Sequence, residues 1–239
     1  MMNNRYLLFI VIGLLAGVIT YVALENYFYA IGVLLVYVLV GLFVLSPILK
    51  KHSTKVRKYH ECYHFINNFV IALSIKKSIS GSLESTVNSM PNEFIDIYNG
   101  LESMNDKEKL DYLSSYFPFY VYHLFLQIIS LWEENGGDII RMSKYLIAET
   151  RYNEEYISKC ESMSSHKYVE IGILWGFCAL IVVVLRFSLK EFYDKIKTQI
   201  LYVVAILILF AFILFTIYLL IQKATNLKIK GYSENEKEF

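Results

Sequence analysis

Apolar and polar residues fall into long, separate blocks along this chain. Four long runs are almost free of charge, and they span residues 6–24, 27–49, 169–185 and 200–221. Glu170 is the only charged residue within them. About 20 apolar residues are enough for a helix to cross the hydrocarbon core of a bilayer. The pattern therefore predicts four transmembrane helices, which form one hairpin on each side of a polar middle block.

The polar middle block, residues 50–167, has a helical pattern. Cys62, Phe65, Phe69 and Leu73 recur at the spacing of one helix face. The whole chain contains only three prolines, and the block shows no alternation typical of a strand. We therefore expect an all-α bundle of about six helices, large enough to have its own core.

Capping residues predict where the helices of this bundle begin and end. Ser82 is the expected N-cap of one short helix, and Pro91 is expected to open the next. Asn105 and Glu108 have the spacing of a capping box, and Pro118 should end the helix that this box begins. A long apolar helix is expected to follow.

A glycine pair, Gly136-Gly137, separates that long helix from the last helix of the bundle, with carboxylates on both sides. Glycine directly after one helix and Asp138 at the start of the next are the caps of a tight helix–helix turn. No breaker follows between Ile139 and the third apolar run. We therefore expect the last helix to continue into the membrane and to couple the bundle rigidly to it.

Composition supports a membrane protein with one polar domain. Of the 239 residues, 56% are hydrophobic and 19% are charged, and the mean hydropathy is +0.42. Globular domains average roughly 45–50% apolar and about 25% charged. The net charge of +1 gives no reason to expect nucleic-acid binding. The three cysteines form neither a disulfide framework nor a zinc pattern.

The distribution of lysine and arginine predicts the topology. Five basic residues directly follow the second apolar run, and they are Lys50, Lys51, Lys55, Arg57 and Lys58. A basic cluster at a membrane exit marks the cytoplasmic side. We therefore expect a multi-pass protein of the cell membrane with the bundle and both termini in the cytoplasm. Its parts would be a hairpin at 1–49, the bundle at 50–167, a second hairpin at 168–222 and a disordered tail at 223–239.

Two stretches of the polar block resemble a known family in their motifs and in their placement between two membrane hairpins. Residues 65–75 read Phe-Ile-Asn-Asn-Phe-Val-Ile-Ala-Leu-Ser-Ile, and a Ser/Gly-containing turn and Ser-Leu-Glu-Ser-Thr-Val follow. Residues 132–139 read Trp-Glu-Glu-Asn-Gly-Gly-Asp-Ile. The arrangement resembles the F-domain inner-membrane platform proteins of type II secretion, type IV pili and tight-adherence (Flp) pili. The single domain matches the tight-adherence layout. The family usually has a small residue and glycine before its second helix, whereas here Lys76-Lys77-Ser78 displaces that glycine to Gly81 or replaces it with Ser78.

The resemblance implies a platform protein without enzymatic activity and without a cofactor. Such a protein would couple a cytoplasmic secretion ATPase to the extraction of pilin-like subunits from the bilayer and to filament assembly. It would also contact a second platform protein or another copy of itself. The residues expected to dock partners lie at the two turns, and they are Lys76, Lys77, Gly81, Glu84, Glu133, Glu134, Gly136, Gly137 and Asp138.

One motif suggests a different class of protein. His60, Glu61 and His64 match HExxH, in which two histidines on one helix face bind zinc and the glutamate activates a water. The alternative is therefore a membrane zinc metalloprotease, although a catalytic zinc needs a third protein ligand and no second motif stands out. A small transporter is a third alternative. It would need polar residues within the spans, and three of the four have essentially none.

Overall fold

The computed structural model describes residues 2–188, 190–197 and 199–226, with side chains described from Phe9 onward. The chain forms two compact units. One, which we call the membrane unit, comprises Met1–Ser53 and Cys160–Asn226, and the other, the bundle unit, comprises Thr54–Lys159. The predicted disordered tail lies outside the described residues from position 227 onward.

The described residues form an all-α protein without a strand. The helices are α1 (Met2–Leu24), α2 (Tyr27–Val40), α3 (Ser46–Lys76), α4 (Ile79–Val87), α5 (Asn92–Asn99), α6 (Asp106–Tyr116), α7 (Tyr120–Asn135), α8 (Ile139–Met142), α9 (Lys144–Ser188), α10 (Lys190–Ile196) and α11 (Ile200–Thr225). A π-helical turn, Gly41–Leu45, joins α2 to α3. Helices α3 and α9 each contribute residues to both units.

Within the described residues, three helices are long and apolar enough to cross a membrane, and they are Tyr27–Lys76, Lys144–Ser188 and Ile200–Thr225. The described part of the first apolar run, Phe9–Leu24, forms a shorter apolar helix. In a bilayer every backbone polar group needs an internal partner, and a continuous helix supplies one. The chain is therefore an all-helical protein with several candidate membrane-spanning helices.

The turn between α1 and α2 is as short as the sequence predicts. Asn26 caps α2, because its Oδ1 accepts a hydrogen bond from the backbone N–H of Phe28 at 2.9 Å. The two helices pack closely along glycines: a Cβ atom at Gly13 would lie 2.9 Å from Val38, and one at Gly41 would lie 2.9 Å from Phe9. Small residues therefore allow the close approach of these helices.

Ion pairs at the turn of this first hairpin connect it to the α9–α11 segment. The Glu25 carboxylate binds Arg186 and also Lys197, which lies 2.7 Å away, and Lys197 in turn contacts Asp194 at 2.6 Å. Tyr193 donates a hydrogen bond to the carbonyl of Val22 at 3.0 Å. The hydrogen bond from Lys197 is the largest cause that lowers the pKa of Glu25, and the same network raises the pKa of Lys197 to about 12.

Aromatic packing around Phe65 forms the core of the bundle unit. The Phe65 ring lies 5.7 Å from that of Phe94 on α5, 5.8 Å from Phe117 after α6, and 6.0 Å from Phe125 on α7. All four side chains are fully buried. This one residue of α3 therefore contacts the three elements that complete the core.

Helix α3 is also attached to α9 within the bundle unit. The Tyr59 ring packs edge-on against Phe119 at 5.2 Å, and its hydroxyl is 3.5 Å from the carbonyl oxygen of Thr150 on α9. Next to it, His60 Nδ1 is 3.1 Å from Glu154 Oε1. These contacts attach α9 to the start of the bundle's part of α3.

Two predicted details of the bundle are wrong. Ser82 does not cap a helix: it is buried inside α4, which begins at Ile79 after the N-cap Ser78. The last helix does contain a break, because Ser143 separates α8 from α9. Its hydroxyl donates to the carbonyl of Ile139 at 2.7 Å, and a serine bonded to the preceding turn in this way often bends a helix. The capping box of Asn105 with Glu108 is confirmed.

We expect the Phe65→Ala substitution to lower the free energy of unfolding of the bundle unit by about 3–5 kcal/mol, because it leaves a cavity between three helices. The matched control is Ile71→Ala on the exposed face of the same helix, which should change it by less than about 0.5 kcal/mol. Urea titration of purified protein would measure both, with Trp132 fluorescence as the signal in a Trp175→Phe background. Similar losses in the two variants would contradict the aromatic core.

The Glu25 ion pairs should make the stability of the membrane unit depend on pH. A carboxyl whose folded pKa is lowered stabilises the fold above its ordinary pKa, and this contribution is lost as the pH falls through the lowered value. Glu25→Gln should therefore lower the melting temperature at pH 7, and the difference from wild type should shrink below the ordinary pKa of 4.5 and vanish once the pH is below the lowered pKa. Glu191→Gln, on exposed α10, is the control and should have no effect at either pH. A difference for Glu25→Gln that persists in acid would show that its ion pairs are not the cause.

Candidate docking site

The Gly136-Gly137 turn has the backbone geometry that only glycine adopts easily. Helix α7 ends at Asn135, and Gly136 and Gly137 follow with φ angles of 65° and 105°. The indole N–H of Trp132 donates to the Gly137 carbonyl at 3.1 Å. Asp138 then caps α8 by accepting a hydrogen bond from the N–H of Ile140 at 3.0 Å. The predicted C-cap and N-cap are both confirmed, and the turn is exposed.

The acidic residues before this turn differ in their contacts. Glu133 pairs with Lys107 at the first turn of α6, with 3.3 Å between the charged atoms. Both side chains are about half exposed or more, and an ion pair in such surroundings contributes little to stability. Glu134 is exposed and forms no ion pair with a described residue. A carboxylate is therefore available for a partner beside the glycine pair.

The turn between α3 and α4 also requires an unusual backbone. Lys77 has a φ of 50°, a left-handed conformation that normally favours glycine. The Lys76 ammonium donates to the carbonyl of Gly81 at 2.9 Å, which closes the turn on itself. Ser78 caps α4 by accepting from the N–H of Gly81 at 3.5 Å. Of the predicted docking lysines, Lys76 is thus engaged within the turn, whereas Lys77 is exposed.

A cavity of about 260 Å³ is lined by residues that lie near both turns in the chain. It lies between the start of α4 at Ile79, the start of α6 at Lys107, and the end of α7 at Glu133. Ile79 comes two residues after Lys77, and Glu133 comes three before Gly136. The structure therefore brings the α3–α4 turn and the α7–α8 turn to the same end of the bundle, which we call the docking end. Glu84 lies farther along α4 and does not line this cavity.

Several residues of the docking end are missed by the sequence interpretation. They are Ile79, Lys107, Asp111, Gln127 and Ser130. Lys107 is visible in the sequence only as part of the α6 capping segment. Its partner Glu133 is 26 residues away, and no local pattern connects positions so far apart.

The HExxH residues have other partners in the structure. The Glu61 carboxylate accepts a hydrogen bond from the Tyr116 hydroxyl at 2.8 Å and lies 3.8 Å from Arg57. His60 faces Glu154, and His64 is exposed. Among the described residues, no group of three histidine, cysteine, aspartate or glutamate side chains is placed to hold a metal ion. The arrangement therefore gives no support to the zinc alternative.

Tyr116 is partly buried and donates its hydroxyl hydrogen bond to the buried Glu61 carboxylate. Burial, together with the hydrogen bond to Glu61, raises the pKa of Tyr116 to about 12. The phenol therefore stays protonated near neutral pH and can donate to the carboxylate. The Glu61 side chain is only 7% exposed, so the hydrogen bond and the nearby guanidinium compensate for its burial. Glu61 thus has the surroundings of a structural residue.

Comparisons of the chain with protein-family models, with curated proteins and with solved structures found no match.

The left-handed Lys77 gives a stability prediction for the docking end. Lys77→Gly removes a strain of about 1 kcal/mol but makes the unfolded chain more flexible, so we expect stability to stay equal or to rise slightly. The control Ser80→Gly places glycine inside α4 and should cost about 0.5–1 kcal/mol. The urea titration described above measures both. An equal loss in the two variants would contradict the left-handed turn.

Proposed function

We propose that this chain is the inner-membrane platform protein of a secretion or pilus-like assembly machine of the type II secretion, type IV pilus or Flp pilus kind. It would couple a cytoplasmic ATPase to the extraction of pilin-like subunits from the bilayer. One observation carries the proposal. The two turns that resemble the family's motifs flank one cavity of an all-α bundle, and the chain also contains candidate membrane-spanning helices.

The docking end has the properties of a surface for a protein partner. The glycine pair exposes backbone groups, while Glu134 and Lys77 offer charges of both signs. Its cavity is lined by apolar and polar residues together, as is common at protein interfaces. We assign the ATPase to this end, since the enzyme would supply the energy that the platform itself does not generate.

The proposed topology has four spans, with Phe9–Leu24 as the first, and it puts the bundle in the cytoplasm. The basic cluster at positions 50–58 supports this orientation by the positive-inside rule. Helix α9 belongs to both units and is unbroken from Lys144 to Ser188, so a force on the bundle could enter the membrane along it. Pilin-like subunits, a second platform protein or another copy of this chain would then meet the membrane unit.

We expect Gly137→Trp to abolish filament assembly or secretion and to reduce co-purification of the ATPase. Any side chain at a φ of 105° is strained, and the indole would also cover the exposed turn. No described atom lies within 4 Å of the added Cβ, so the bundle core should remain intact and the protein should stay in the membrane. Assembly assays and affinity purification in the native host would measure these effects.

The matched control is Glu102→Trp, which places the same side chain on another exposed turn of the bundle. It should leave assembly and ATPase binding unchanged. Normal assembly with Gly137→Trp would rule out a role for the docking end. If the ATPase does not co-purify with the wild-type protein and deletion leaves assembly intact, the platform function itself is wrong.

A further inference from the structure

The membrane unit contains a partly enclosed cavity of about 710 Å³, within the range of roughly 300–1,000 Å³ that is usual for ligand sites. Helices α1, α9 and α11 form its walls, with Ala16, Trp175 and Phe210 among the lining residues. Two glycines of α9, Gly172 and Gly176, help to create the space, since a Cβ at either would meet no described atom within 4 Å. The cavity is thus a gap between helices that larger side chains would fill.

The lining restricts what can occupy this cavity. It is almost entirely aliphatic or aromatic, and water needs two or more polar partners to be held in a protein interior. One polar atom does lack a partner: the indole nitrogen of Trp175 is buried without a hydrogen bond among the described residues. The occupant should therefore be mostly apolar.

Positive charge lies at one end of the cavity. Phe9, Leu49 and Ile221 line the cavity and pack together there. Lys50 follows Leu49 directly, and Lys223 comes two residues after Ile221. Both lysines are exposed, and neither forms an ion pair with a described residue. Two exposed lysines therefore follow the residues at this end of the cavity, where an anionic headgroup would meet positive charge.

We propose that the cavity binds one acyl chain of an anionic phospholipid, with the phosphate at Lys50 and Lys223. The acyl chain satisfies the apolar lining, and the phosphate satisfies the lysines. A transmembrane helix of another protein fits less well. Its backbone carbonyls are already used within the helix, and its surface offers no fixed anion to the lysines.

Fluorescence quenching in vesicles tests this site directly, because Trp175 lies in its wall. The full chain with Trp132→Phe, which leaves Trp175 as the only tryptophan, is reconstituted into phosphatidylcholine vesicles. A minor fraction of the lipid is either brominated phosphatidylglycerol or brominated phosphatidylcholine, at equal mole fraction. We expect the phosphatidylglycerol to bind with at least about fivefold higher apparent affinity, which is the typical contribution of one lysine near anionic lipid.

Two pairs of variants separate the headgroup from the acyl chain. Lys50→Gln with Lys223→Gln should remove the preference for phosphatidylglycerol, whereas Lys144→Gln with Lys159→Gln removes the same charge from the bundle unit and should preserve it. Gly172→Leu should fill the cavity and reduce the preferential quenching. Its control, Gly32→Leu, adds the same side chain in an open position that does not line this cavity, and it should quench like wild type.

Three outcomes would overturn the proposal. Equal quenching by the two lipids in the wild type would exclude selection of an anionic lipid. A preference that survives Gly172→Leu would place the lipid outside the cavity. A decrease in Trp175 quenching as the protein-to-lipid ratio rises would show that a second copy of the chain fills the cavity instead.

Discussion

Aromatic packing around Phe65 is the interaction on which the bundle depends. One ring of α3 contacts rings from α5, from the end of α6 and from α7. Phe65 of α3 lies near Tyr122 of α7 and Phe69 lies near Phe125, so the two helices run in the same direction and end at the same side of the bundle. The turns that follow these two helices are consequently neighbours, although about 60 residues of chain separate them. The docking end is thus a result of core packing.

Both turns contain residues with positive φ angles, but the residue types differ. Each must reverse the chain directly after a helix, and each does so with positive φ angles. At the α7–α8 turn, Gly136 and Gly137 adopt these angles without a steric penalty. At the α3–α4 turn the strained residue is Lys77, and Lys76 compensates by bonding to Gly81. In the family that the sequence resembles, a small residue and glycine usually precede the second helix, whereas this turn has Lys76 and Lys77, with Ser78 as the N-cap.

The two ends of the membrane unit differ in whether their charged side chains form ion pairs within the protein. At one end, Glu25 joins the first hairpin to the α9–α11 segment through Arg186 and Lys197. At the other, Lys50 and Lys223 form no ion pair with a described residue, and Leu49 and Ile221 near them in the chain line the cavity. Charges are thus paired within the protein at the Glu25 end, whereas the lysines at the opposite end are free to bind another molecule. A bilayer with anionic lipid would supply that charge.

The amino-acid sequence by itself determined the helical class, the apolar runs, the Asn105 capping box and the glycine turn, because each depends on neighbours within a few residues. The tertiary structure decided what depends on distant contacts. It paired Lys107 with Glu133, directed Glu61 to Tyr116, and moved the cap of α4 from Ser82 to Ser78. Serines at 78, 80 and 82 are locally similar, and only the end of α3 at Lys76 selects among them. Local sequence patterns indicate helix caps and hydrophobic helix faces. The packing of those faces against each other decides which turns and which charged side chains come together.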